Sequence, residues 1–152
     1  MLLACLTLLH VFVLVFWVGV DLGAYYASYP VADPNQPPAA RRLAARMISN
    51  IDMAPRTSLV LALPTGLTLA VAKGWLDLGG GWLVLAWMVG LVWLYVVWAV
   101  HLREPKAGSL LPRADLVLRM AAIGGFTLTG AAAVAGLIAV PAFIGLKLIL
   151  LA

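Results

Sequence analysis

LLACLTLLHVFVLVFWVGVDLGAYYA, residues 2–27, is the stretch whose reading decides the fold. A helix needs about 20 predominantly apolar residues to cross the ~30 Å hydrocarbon core of a bilayer, and this run supplies them while carrying His10 and Asp21 inside it. At 3.6 residues per turn, His10, Leu14, Trp17 and Asp21 fall within roughly 60° of one another, with Gly19 and Gly23 on the opposite side. An ionisable group facing lipid costs at least ~2.5 kcal/mol, so the stripe is expected to face protein, a cofactor or water. Small residues Ala24 and Ala27 follow the run, as in a signal peptide. No basic segment precedes it, however, and it exceeds the usual ~7–15 apolar residues, so a retained helix is expected.

The whole chain has the same character. Hydrophobic residues make up 64% and charged residues 11% of its 152 positions, and the mean hydropathy is +1.06. Soluble globular chains lie near 45–50% apolar and about 25% charged, so this is a membrane protein. Its length holds four spans and no separate soluble domain. The expected fold is all-α: one transmembrane bundle over residues 1–152, with spans at about 2–27, 53–72, 82–101 and 116–140 and a short apolar tail at 142–152. The net charge of +4 comes from basic residues lying between apolar runs, which describes topology rather than a nucleic-acid surface. The single cysteine, Cys5, excludes an intrachain disulfide and a paired-thiol metal site.

Outward from the first span, Tyr25, Tyr26 and Tyr29 form an interfacial aromatic belt, and Pro30 is expected to stop the helix. The link PVADPNQPPAARRLAARMISNID is polar, proline-rich and basic. Its part from Pro38 to Ser49 reads either as a short amphipathic helix on the membrane surface, with Arg41, Arg42 and Arg46 toward head groups, or as a solvated loop. Asp52 is a candidate N-cap for the second span, which tolerates Pro55 in its first turn. Thr57, Pro64 and Thr68 share one face, and Pro64-Thr65-Gly66 is expected to kink or loosen the helix.

A glycine-rich turn, Lys73 to Gly81, leads to an aromatic third span with Trp82, Trp87, Trp93, Tyr95 and Trp98. Trp87, Gly90, Leu94 and His101 share a face of that span. A charged turn with Arg103, Glu104, Lys106, Arg113 and Asp115 follows, and Arg119 is expected in the first turn of the fourth span. That span's small residues, such as Ala121, Gly125, Thr129 and Ala133, offer a surface for close helix packing or for a flat ligand. After Pro141, AFIGLKLILLA is too short to cross, so it reads as an interfacial piece whose Lys147 snorkels outward or as the start of a fifth helix.

Arg41, Arg42, Arg46, Arg103, Lys106 and Arg113 lie in the connections after spans one and three, with Arg56 and Arg119 at adjoining helix ends; the connection after span two has only Lys73. By the positive-inside rule the N-terminus is outside and the basic loops are cytoplasmic in a bacterial-type inner membrane. His10 then sits ~12 Å in from the outer start of its helix, and His101 at the inner end of the third. A haem clamped between these two histidines of one subunit is disfavoured.

Two zones remain: an outer one around His10, backed by Trp17 and by Lys147 if the tail re-enters, and an inner one gathering Asp21, Asp52, Arg56, His101 and Arg119. Neutral imidazole suits an axial haem ligand, a copper ligand or a proton carrier, against the plain alternative of a buried histidine bonded to a neighbouring helix. His101 reads as functional or as a hydrated interfacial side chain. Asp21 reads most simply as an ion-pair partner of Arg56 or Arg119, or else as a proton acceptor. Met47, Met53, Met88 and Met120 form no closely spaced thioether cluster, which takes weight from copper.

His10, Trp17 and Gly19, followed by a basic link, a second helix with proline and glycine and an aromatic third helix, resemble the small membrane proteins grouped around HemJ-type protoporphyrinogen oxidase. The pattern is also similar to CopD-type copper-resistance proteins and to the membrane part of bacterial urate oxidase. The resemblance implies a helical bundle, often binding b-type haem, with His10 at the position of the first-helix histidine. The third helix lacks the intramembrane lysine of the HemJ pattern, and Asp21 lies beyond the glycine of the first, so the resemblance extends to haem rather than to porphyrinogen oxidation.

The leading expectation is an integral membrane haem b protein with electron-transfer or oxidase-like activity. Its candidate cofactor-binding residues are His10, Trp17, Arg56, His101 and Arg119, with His10 as metal ligand and the arginines on propionates. The alternatives are a noncatalytic accessory subunit of a larger membrane complex and a copper or small-solute permeation protein. The partners expected are the lipid bilayer and further copies or other subunits, not nucleic acid.

Overall fold

The computed structural model describes residues 1–103, 105 and 109–152. Glu104 and Lys106 of the charged turn lie outside the described residues. Among the described residues six helices follow one another: α1 (Leu2–Ala32), α2 (Pro38–Ile51), α3 (Met53–Ala72), α4 (Gly80–Arg103), α5 (Leu110–Val134) and α6 (Ala142–Leu151). Among the described residues there is no strand. Four helical segments are long and apolar enough to cross a membrane: α1, α2 with α3, α4 and α5; α6 is apolar but only 10 residues long. The protein is therefore an all-α, multi-pass membrane protein, because only a helix satisfies its own backbone in hydrocarbon without closing a barrel.

Several boundaries differ from the sequence expectation for local reasons. Pro30 does not stop α1; it lies inside the last turn, and the helix runs on to Ala32 before Asp33 turns extended. Asp52 is not an N-cap: its backbone is helical, and it joins α2 to α3 with hardly a break. The stretch from Pro38 forms a helix rather than a loop, started by Pro38 in the first position, where a missing N–H costs nothing. Span four is displaced toward the N-terminus, covering Leu110–Val134 rather than 116–140, so Arg119 lies in its third turn and Arg113 and Asp115 are helical.

Its stop is Gly136, with φ +71, where Leu137 N–H donates to Ala132 C=O and Gly136 N–H to Ala133 C=O, at 2.9 and 3.1 Å. Gly74, with φ +69, ends α3 by the same paired bonds, from Trp75 to Ala70 and from Gly74 to Val71. Both are left-handed glycine caps that satisfy the last carbonyls of a helix.

The chain divides into two compact units, Met1–Thr65 and Gly66–Ala152, with the division inside α3. In the first, α2 folds back against α1. Arg41 Nε donates to the α1 carbonyl of Val31 at 3.0 Å, and Asp33 accepts from the Asn35 backbone N–H at 2.9 Å. In the second, α5 packs against both α4 and α6. The α5–α6 contact is a backbone approach: a Cβ on Gly130 would lie 2.6 Å from the Gly145 carbonyl oxygen, and one on Gly145 would lie 2.8 Å from Ala133 Cβ. Of the small residues expected to pack, Ala133 is buried, whereas Ala121, Gly125 and Thr129 are exposed. The packing face is therefore Gly130, Ala133 and Val134, one side of the stripe that spacing alone suggested.

Candidate functional site

The buried face of α1 is rotated from the expected stripe. Leu6, His10, Val13, Trp17, Val20 and Ala24 are buried or half-buried, whereas Leu14 and Asp21 are exposed. The apolar positions repeat with alternating spacings of three and four residues, which centres the face between His10 and Val20 and leaves Leu14 and Asp21 on its shoulder. His10 and Trp17 thus stay on the inward side together, and Asp21 does not join them.

His10 meets α3 at its weak point. Pro64 has no N–H to give to Val60, and it is fully buried. One residue on, the Thr65 hydroxyl donates to the Leu61 carbonyl at 2.7 Å, with Ala62 C=O at 3.3 Å as a second acceptor. A carbonyl only accepts, so the hydroxyl proton is committed to the helix. The contact of 3.0 Å between His10 Nδ1 and Thr65 Oγ1 is then a bond donated by Nδ1–H. In the neutral ring this tautomer gives Nε2 the lone pair, so Nε2 is the atom with ligating character. Thr65 itself is 3% exposed, which makes the arrangement a built one rather than a surface encounter.

The charged candidates sort into local pairs. Arg56 bonds Asp52 through Nε and Nη2, four residues back along the chain. Arg119 Nε bonds Asp115 Oδ2 at 2.8 Å, and Trp93 Nε1 donates to the other oxygen of the same carboxylate at 3.2 Å. Neither arginine is the partner of Asp21, which is exposed and makes no ion pair among the described residues. The expected Asp21 salt bridge is therefore corrected: an aspartate at i−4 on the same helix reaches a guanidinium at less conformational cost than one on another helix. The inner zone resolves into an Asp52–Arg56 pair in the first unit and an Asp115–Arg119–Trp93 network in the second.

In the second unit the α4 face read from spacing turns inward, with Gly90 and Val97 buried and Trp87, Leu94 and His101 half-buried. His101 ends it, its ring edge-on to Trp98 with centroids 6.3 Å apart. Trp87 Nε1 donates to Thr68 Oγ1 at 3.0 Å, so Thr68, like Thr65, serves an aromatic side chain on another helix. Sequence reasoning singled out Thr65 and Thr68 around the proline but assigned them no partner. Outside the spans, the Asn35 backbone amide, seconded by the Gln36 side chain, holds the Asp33 carboxyl below its ordinary pKa.

Among the described residues no three His, Cys, Asp or Glu side chains converge as a metal site would require. The His10 imidazole is oriented from behind by its Nδ1–H bond to Thr65, an arrangement that suits a cofactor bringing its remaining ligands with it. Comparison of the chain with family models, with curated proteins and with solved structures gives no match.

Proposed function

We propose that the protein is an integral membrane haem b protein with electron-transfer or oxidase-like activity, in which His10 Nε2 would ligate the haem iron. The observation that carries this reading is the Nδ1–H bond from His10 to Thr65. Metal-ligating histidines characteristically donate their other ring N–H to an oxygen behind them, which fixes the tautomer and raises the basicity of the ligating nitrogen. Here that oxygen belongs to a hydroxyl whose own proton is committed to the α3 backbone, so the imidazole is held from behind by a helix rather than by a mobile side chain.

When bound, haem supplies one-electron exchange at its iron. The residues of this chain supply position and surroundings. His10 would hold the iron, and Trp17, two turns further along the same inward face, would provide a flat apolar wall. Arg56 lies about nine residues, ~14 Å, from Thr65 along α3, toward the start of that helix, and would hold a propionate there. Asp52 occupies part of its guanidinium and orients the rest, and arginine retains further N–H donors for a second carboxylate. Arg119 and His101 belong to the second unit, where Asp115 and Trp98 engage them, and the proposal assigns them no contact with the haem.

Purified full-length protein supplemented with haem is expected to develop a Soret band that His10→Ala abolishes. A band of unchanged intensity and position in His10→Ala contradicts the assignment. Isolation in a stable, cofactor-free complex with other membrane subunits favours the accessory-subunit reading instead.

A further inference from the structure

One end of the second unit carries a cluster of cations and aromatic rings that the haem reading does not use. The left-handed Gly74 cap turns the chain back on α3, and Trp75 N–H is anchored to Ala70 C=O at 2.9 Å. The indole is thereby fixed beside Lys73, whose Nζ lies 4.6 Å from the ring centroid. The indole also meets Phe143 of α6 edge-on, with centroids 5.0 Å apart. Lys147 Nζ, in turn, lies 5.9 Å from the Phe143 centroid. Two cations and two rings from separate parts of the chain are linked by these contacts.

The placement of Lys147 is the informative part. It is the one charged residue in AFIGLKLILL, a helix of 10 residues otherwise without polar side chains. Such a helix, ~15 Å long, enters the hydrocarbon without crossing it. The Gly130–Gly145 approach binds it to α5, and its lysine reaches back one turn toward Phe143 and the helix start, as a snorkelling side chain does. In the chain, Trp75 lies between the C-terminus of α3 and the N-terminus of α4, and Phe143 follows the C-terminus of α5; in a bilayer such ends are where apolar helices leave the hydrocarbon.

Trp75 and Phe143 stay 42% and 41% exposed, and neither lysine forms an ion pair among the described residues. Asp77, exposed in the same connection, is the one acidic side chain there, so the local charge is positive.

We propose that Lys73, Trp75, Phe143 and Lys147 form a binding site for the phosphate of an anionic phospholipid. The two ammonium groups supply the positive charge that draws the phosphate to this zone, and the indole and phenyl rings lie against the glycerol and the first acyl carbons, the depth at which amphipathic rings settle in a bilayer. A choline headgroup brings its own cation against two lysines and is disfavoured. Inorganic phosphate meets the same ammonium groups but gains nothing from the rings, and exposed charges alone hold an anion weakly.

The test uses the full-length protein in neutral detergent, with its thermal midpoint followed as phosphatidylglycerol, phosphatidylcholine or inorganic phosphate is added. Phosphatidylglycerol is expected to raise the midpoint by about 3–5 °C and the other two by less than a third of that. Lys73→Gln and Lys147→Gln should each remove part of the rise, and the double variant most of it. A Lys73→Arg/Lys147→Arg protein should retain it, as should Arg42→Gln/Arg46→Gln in α2. If the double variant does not fold, the two single variants carry the comparison. An equal rise with phosphatidylcholine or inorganic phosphate, a full rise in both lysine-to-glutamine single variants, or its loss in the α2 variant overturns the proposal.

Discussion

Thr65 is the residue on which the reading of His10 turns. Replacing its hydroxyl by a methyl in Thr65→Val keeps shape but removes the acceptor for Nδ1–H. Loss of such a supporting bond typically costs ~10–100-fold in metal affinity. Haem titration followed by absorbance should show that loss in Thr65→Val and little of it in Thr65→Ser; equal affinity in all three proteins would mean that the hydroxyl does not orient a ligand. Asp115 is the corresponding pivot of the second unit, since it accepts from both Trp93 and Arg119. Asp115→Ala leaves an indole N–H and a guanidinium without their acceptor, and about 1–3 kcal/mol of stability should be lost, read as a lower thermal midpoint.

Both histidines and all the arginines stood out in the sequence, because charge is conspicuous in an apolar chain. Their partners did not. A hydroxyl such as Thr65 is unremarkable in composition, and only the meeting of α1 with the proline break in α3 gives it a role. Asp21 shows the reverse: a helical wheel drawn from His10 put it on the inward stripe, but a face centred near Val13 and Trp17 leaves it outside.

At the scale of elements, existence and type were legible and ends were not. The apolar lengths of α1, α3, α4 and α5 announced themselves. The true stop of α5 was a glycine concealed among other glycines and alanines, since nothing in GGFTLTGAAAVAG marks Gly136 as the residue that takes a positive φ. The contact between α5 and α6 gives a direct test. A methyl group on Gly145 falls within 2.8 Å of Gly130 O and Ala133 Cβ, so Gly145→Ala should cost about 1–3 kcal/mol and displace α6. A cysteine pair bridging the two helices should lose its crosslinking in that background, whereas unchanged crosslinking and stability would contradict the close approach.

The turn between α1 and α2 is expected to respond to pH. Asp33 has a folded pKa below its unfolded one, so its contribution is fully present above the unfolded value near ~3.9 and is lost as pH falls through the folded value. The difference in thermal midpoint between wild type and Asp33→Ala should be present at pH 6 and shrink at pH 3. A constant difference would mean that the charge of Asp33 plays no part.

For the whole molecule, composition alone led to a multi-pass helical membrane protein, and the four apolar helical segments bear it out. Function is harder to read at this scale because a bundle of apolar helices serves many chemistries, and its site is a matter of a few polar atoms. In the proposed haem reading those atoms are His10 Nδ1 and Nε2, Thr65 Oγ1 and the Leu61 carbonyl. The most direct measurement is the absorption spectrum of haem-supplemented full-length protein, oxidised and reduced, beside His10→Ala. The account predicts a Soret band that shifts on reduction in the wild type and is absent in the variant. No band in the wild type, or the same band in both, would contradict it.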